Sequence, residues 1–130
     1  MSQFVDTHCH IQSAGGDGGE RTTAGLWAKA PDISASEIID AANEAGVSRL
    51  ICVGCDVPDS QLAVSFASKQ AHCWASIGIH PHEAKLYVDN DAELAAFAAL
   101  ATDPAVVAVG ECGLDFYYNH SPKADQEKLL

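Results

Sequence analysis

Four short apolar runs, each closing on polar or glycine residues, punctuate the chain: Phe4 to His8, Arg49 to Gly54, Trp74 to His80 and Ala105 to Glu111. Their length and β-branched content predict strands. The intervals between them are too long for hairpins and carry helical spacing, so the alternation predicts an α/β fold with a parallel sheet and right-handed crossovers.

The first predicted helix runs from about Ser36 to Ala45. Ser34-Ala35-Ser36-Glu37 fits a capping box, Gly46 stands where a closing glycine belongs, and Ile38, Ile39, Ala42 and Ala45 share a face. A second helix is expected from Pro58 to Gln70, with Leu62, Phe66 and Ala67 towards the sheet. A third, rich in alanine and leucine, is expected from Asp91 to Ala101, and a fourth opens at Ser121-Pro122, a cap followed by a first-turn proline, and runs towards Leu130. The segment from Gln12 to Ile33 breaks the rhythm: five glycines, both signs of charge and no period read as a long surface loop over the strand ends.

Size and charge narrow the function classes. With 130 residues, 48% of them hydrophobic, the chain can bury a core and is expected to form a single domain over residues 1–130. Acidic residues outnumber basic ones 18 to 7, for a formal charge of −11, and the basic residues are scattered. Such a surface repels polyanions, so any nucleic acid would have to be held at a centre whose cations offset the local charge. Met1-Ser2-Gln3-Phe4-Val5-Asp6 lacks the basic, then apolar, pattern of a signal peptide, and no run approaches the roughly 20 apolar residues of a membrane span. Five cysteines, an odd number, fit a reducing compartment better than a disulfide framework, and a cytoplasmic setting is expected.

Three clusters at predicted strand ends carry the candidate chemistry. In Asp6-Thr7-His8-Cys9-His10, strand alternation sends Asp6, His8 and His10 to one side and Thr7 and Cys9 to the other. Two imidazoles so spaced can grip one metal ion, with Asp6 orienting a ring; an accidental pair on a polar strand end is the competing reading. Gly78-Ile79-His80-Pro81-His82 repeats the His-x-His pattern around a stiffening proline. There His80 can meet a substrate phosphate or water, while His82 either joins it or only bonds the loop. Gly110-Glu111-Cys112-Gly113-Leu114-Asp115 ends the fourth run, and Glu111 is either a carboxylate bridging two cations or a solvated rim residue. Strand ends are where such folds concentrate chemistry.

Other features weigh less. Cys52-Val53-Gly54-Cys55 lacks the second pair of a zinc knuckle, and Asp56-Val57-Pro58 separates it from the helix that a redox pair should open. Cys9 and Cys112 are expected to be packing residues. Phe116 is expected to pack, whereas for Tyr117 or Tyr118 stacking on a nucleobase and packing at the rim stand level, and nothing locates Trp27.

Together these segments, with Phe116 and Tyr117 extending the third, resemble the TatD family of metal-dependent hydrolases, in combination, order and spacing. The resemblance runs through nearly all of the chain but covers only the first half of the family's length. It implies a (β/α)8 TIM barrel of the metal-dependent hydrolase type, of which this chain would supply about the first four βα units; a whole barrel takes about 250 residues. It further implies His8 and His10 on a first metal, Glu111 bridging to a second, His80 beside the substrate phosphate, and Gly110, Gly113 and Asp115 shaping the loop around Glu111. His82 and Tyr117 are further candidates for substrate contact. The implied activity is phosphodiester hydrolysis, removing nucleotides from DNA ends with a preference for single strands, supported by two divalent ions, magnesium or manganese, with zinc as a further occupant.

The family draws two more histidines and a late aspartate from strands that would follow Leu130, and His120, in a loop, is no substitute. The loop from Gln12 to Ile33 is also longer than expected for the family. Two rival readings remain. One is a small-molecule amidohydrolase or phosphoesterase on the same scaffold, against which the Gly-Glu-x-Gly-Leu-Asp setting argues. The other is an inactive half-barrel whose open strand edges call for self-association or the missing half.

Overall fold

The computed structural model describes residues 3–14, 23–29 and 33–130. Four strands, β1 (Phe4–Cys9), β2 (Val47–Val53), β3 (Cys73–Ile77) and β4 (Val106–Val109), form one sheet in the order β1-β2-β3-β4, and every pairing is parallel. Register runs Cys9 with Cys52, Cys52 with Ala75, and Ile77 with Val109, so all four strands end at one rim.

The crossovers are α2 (Ala35–Glu44), α3 (Val57–Ala67) and α5 (Asp91–Leu100). Ser34 caps α2 through the expected box: its hydroxyl accepts from the Glu37 amide at 3.3 Å and the Glu37 carboxylate accepts from the Ser34 amide at 2.8 Å. No residue of α2 is fully buried, and Ala45, expected on its inner face, lies outside the helix and is exposed. Asp56 caps α3 by accepting from the Asp59 amide at 2.8 Å.

The inner face of α3 differs from the sequence expectation. Val57, Ser60, Ala63, Val64 and Ala67 are buried, following the helical period, whereas Leu62 is exposed. Period outweighs bulk here: small residues at positions 60, 63 and 67 let this helix lie close on the sheet. Its core partners include Leu50, Cys52, Cys73, Ala75 and Ile77.

Further differences fall in the connections. Instead of an irregular loop after β1, Ile11–Ser13 forms a buried 3₁₀ turn, in which Gln12 donates to the Val53 carbonyl at 2.9 Å, and α1 (Thr23–Trp27) follows. The remainder of the predicted loop, residues 15–22 and 30–32, lies outside the described residues, as do Met1 and Ser2. A turn at Pro81–Glu83 leads into the short helix α4 (Ala84–Tyr87), which no period announced. The last helix, α6, spans Lys123–Leu129, but Ser121 does not cap it; that hydroxyl donates to the His82 carbonyl at 2.6 Å and accepts from the Lys85 amide at 3.2 Å.

β4 stops at Val109, two residues short of the expected end, because Gly110 turns the chain at φ 154°, a conformation that disfavours a side chain. The outer strands are lightly covered: Phe4 and Val5 on β1, and Val107 and Val109 on β4, are exposed.

One close approach sets the rim. A Cβ on Gly78 would lie 2.2 Å from the Glu111 nitrogen and 2.5 Å from the Gly110 carbonyl carbon, so β3 and the residues after β4 pass closer than any side chain permits. Ser60 locks the same point from the helix side, donating to the Gly78 carbonyl at 3.2 Å and accepting from its amide at 3.1 Å, while fully buried. Ser60→Ala strips both partners from buried backbone groups and is expected to lower stability by about 1–3 kcal/mol; urea unfolding of the two proteins measures it, and an unchanged midpoint would remove Ser60 from this role.

Candidate metal centre

The three strand-end clusters converge at the rim. His8 ends the exposed face of β1 and His10 follows half-buried, their Nε2 atoms 3.3 Å apart. Glu111 enters from the end of β4, with Oε2 3.7 Å from His8 Nε2 and Oε1 3.9 Å from His80 Nε2. One donor atom from each of His8, His10 and Glu111 lies within 4.8 Å of the other two.

Supports behind these groups fix their placement. The Trp27 indole donates to the His10 carbonyl at 2.9 Å, which locates that side chain as a brace. Asp6 accepts from the His8 backbone amide at 3.0 Å, so its carboxylate orders the strand end instead of orienting a ring. Cys9 packs behind the pair, its sulfur 4.0 Å from that of Cys52, whereas Cys112, expected to pack, is exposed.

The donor set fits a divalent cation. Donors 2.0–2.1 Å from one tetrahedral ion stand roughly 3.3 Å apart, which the two imidazoles match, and the carboxylate completes an N/N/O set suited to zinc or manganese-class ions. The Nδ1 of His10 is buried and has no hydrogen-bond partner among the described residues. Among the described residues one further group of three donors, His10, Cys55 and Asp59, also lies within 4.8 Å, and the Cys55 thiol donates to Glu111 Oε2 at 3.4 Å. Burial, with the charges of Glu111 and Asp59, pushes that thiol above its ordinary range.

His80 is tied to the rim by its amide, which donates to the Cys55 carbonyl at 2.7 Å, and its Nδ1 accepts from the His82 amide at 3.2 Å. Burial holds its pKa below the ordinary histidine value, with the neighbouring His82 adding to the effect, so the ring is neutral near pH 7 and carries its proton on Nε2.

His82 turns away from the His8–His10–Glu111 cluster. Its Nε2 pairs with Asp115 Oδ2, and its ring packs edge-on against His80, His120 and Tyr118, with centroids 4.2, 4.5 and 5.9 Å away. Asp115 Oδ1 accepts the backbone amides of Tyr117 and Tyr118 at 2.8 and 3.1 Å. Tyr117 itself is 83% exposed and meets Tyr118 edge-on at 4.8 Å.

Sequence reading missed Gln126, which is 1% exposed and clamps this loop: it accepts from the Asp115 amide at 2.7 Å and donates to the Asp115 and Ser121 carbonyls at 3.0 and 2.9 Å. It also passed over Asp59, which accepts from the Cys55 amide at 3.0 Å, and Ser76, whose hydroxyl donates to the Gly110 carbonyl. A polar residue on the inward side of a short amphipathic helix was the available signal for Gln126; nothing in the sequence marks Ser76.

The family described as TatD related DNase matches residues 5–130. The chain belongs to that family. Among relatives named 3'-5' ssDNA/RNA exonuclease TatD, that of Cronobacter turicensis is 44% identical over 96 residues, covering 74% of this chain and 36% of the relative. Those of Salmonella typhimurium and Escherichia coli K12 are 38% and 37% identical over 114 residues, covering 88% of this chain and 42% of each relative. The chain thus spans well under half the length of these TatD relatives.

The His82–Asp115 pair yields a pH prediction. Its bond to His82, followed by the amides of Tyr118 and Tyr117, lowers the Asp115 pKa to about 2, against an ordinary value of about 3.9. A depressed carboxyl contributes stability that is complete above the ordinary value and is lost as pH falls through about 2. In His82→Phe the Asp115 titration, followed by carbon NMR, is expected to move up towards the ordinary value; an unmoved midpoint would show that the loop amides alone set it.

Proposed function

We propose that residues 1–130 are the N-terminal part of a single TatD-type (β/α)8 barrel domain, whose complete form is a metal-dependent phosphodiesterase removing nucleotides from DNA ends, with single strands preferred. The observation that carries the reading is the meeting of His8, His10 and Glu111, from the ends of β1 and β4, with donor atoms within 4.8 Å of one another. The parallel β1-β2-β3-β4 order supports the barrel, and the exposed apolar side chains on β1 and β4 suit edges that further strands would cover.

In this reading His8 and His10 would hold one cation and Glu111 would help hold a second, magnesium or manganese in the active form, with zinc an alternative occupant. When bound, such cations supply Lewis-acid chemistry: they draw charge from phosphoryl oxygens and acidify water. The chain's own groups do the rest. His80, neutral with its proton on Nε2, donates to a phosphoryl oxygen from the flank of Glu111. Asp115 holds His82 and, through the amides of Tyr117 and Tyr118, sets the loop that bears both tyrosines. From there His82 and Tyr117 contact substrate, Tyr117 by presenting an open ring face to a terminal base. The formal charge of −11 would repel a nucleic acid, so binding to DNA depends on the cations as much as the chemistry does. Five free cysteines suit a reducing, cytoplasmic setting, and no helix among the described residues is long and apolar enough to cross a membrane.

The test is hydrolysis of end-labelled single-stranded DNA with magnesium or manganese by this chain, by a longer chain carrying the family's later strands, and by its Glu111→Ala variant. The longer chain is expected to cleave, with kcat/KM falling by about a hundredfold or more in the variant. No cleavage of DNA by the metal-loaded longer chain, with turnover of a small phosphate ester, would move the reading to a small-molecule phosphoesterase.

A further inference from the structure

Cys55 is held at the rim through its amide, carbonyl and thiol, and the chemistry above has no use for it. Its amide donates to Asp59 Oδ2 at 3.0 Å, its carbonyl accepts from the His80 amide at 2.7 Å, and its thiol donates to Glu111 Oε2 at 3.4 Å. A nitrogen of His10 and a carboxylate oxygen of Asp59 lie with its sulfur inside 4.8 Å. Among the described residues Asp59 accepts from the Cys55 amide, from Gln12 Nε2 at 3.4 Å and from Ser13 Oγ at 3.3 Å. A carboxylate offers about four lone-pair sites, so among the described residues one stays open. The Nδ1 atom of His10, in the same group, is buried and has no partner among the described residues.

We propose that Cys55, as a thiolate, forms with His10 and Asp59 a second cation position that selects thiophilic divalent ions such as zinc, cobalt or cadmium. An N/O/S donor set of this kind favours such ions over magnesium or manganese. On binding, the S–H bond breaks, the proton passes to solvent and the sulfur gives its electron pair to the ion. The carboxylates of Glu111, Asp59 and Asp56, which oppose a thiolate in the metal-free chain, are then offset by the incoming charge.

The position deepens the metal reading of His8, His10 and Glu111 in one respect, because the two donor groups share His10. A neutral imidazole has a single lone pair for ligation. His10 therefore serves one position at a time, and a thiophilic ion held by Cys55 withdraws His10 from His8 and Glu111. The Cys55 position is thus an inhibitory one, with selectivity set by sulfur.

Cobalt(II) added to the metal-stripped chain tests this without recourse to activity. The expected result is a near-ultraviolet sulfur-to-cobalt charge-transfer band together with visible d–d bands; Cys55→Ser loses the former and keeps the latter, and Cys112→Ser keeps both. Visible bands without the charge-transfer band, or a charge-transfer band that survives in Cys55→Ser, overturn the Cys55 assignment and leave the His8–His10–Glu111 reading standing. Absence of all cobalt bands overturns both. Should Cys55→Ser fail to fold, alkylation of the unaltered chain decides: cobalt is expected to protect Cys55 and leave Cys112 reactive, and equal labelling with and without cobalt overturns the proposal.

Discussion

Everything at the rim depends on parallel pairing. Because β1, β2, β3 and β4 run in one direction, each strand spends its apolar residues in the sheet and delivers its first polar residues to the same side. An antiparallel arrangement of the same segments would place His8 and Glu111 at opposite ends. The contact of Gly78 with the Gly110–Glu111 backbone then fixes how deep the Glu111 carboxylate sits, and Ser60 holds that contact from behind. The centre is therefore assembled by backbone proximity first and by side chains second, which is why its histidines need few bonds of their own.

Much of this is legible in the sequence. Strand-helix alternation implies the parallel sheet, Ser34 and Gly46 bound the first crossover helix, and the strand-end motifs single out His8, His10 and Glu111, which the fold brings together. What stays hidden depends on long-range contact. Leu62 looks like core because it is large, yet the period of Val57, Ser60, Val64 and Ala67 turns it outwards. Strand alternation predicts Asp6 on the side of the histidines, but its carboxylate is captured by the His8 backbone amide instead of a ring. Ser121 has the look of a helix cap and serves two distant backbone groups instead, because α4 crosses beside it. Local rules predict local partners, and each of these residues found a nearer or a tertiary one.

Polar groups carry an unusual share of the rim's order. Gln126 and Asp115 exchange bonds between α6 and the loop after β4, and Asp59 ties the turn after β1 to the residues that lead into α3. Such networks are rigid when complete, since a buried polar group without a partner is costly and each member fixes the next. They position the loop that carries Tyr117 and Tyr118 without covering either ring.

The bond from Trp27 to the carbonyl of His10 has an optical consequence. Indole emission responds to its hydrogen-bonding and to nearby charge, and this indole is fastened to the one residue common to both donor groups. Trp74, the second tryptophan, sits on β3, away from that bond. The chain thus carries a built-in fluorophore on the backbone of His10, through which an ion bound at the rim would become visible in the protein's own emission, with no label attached.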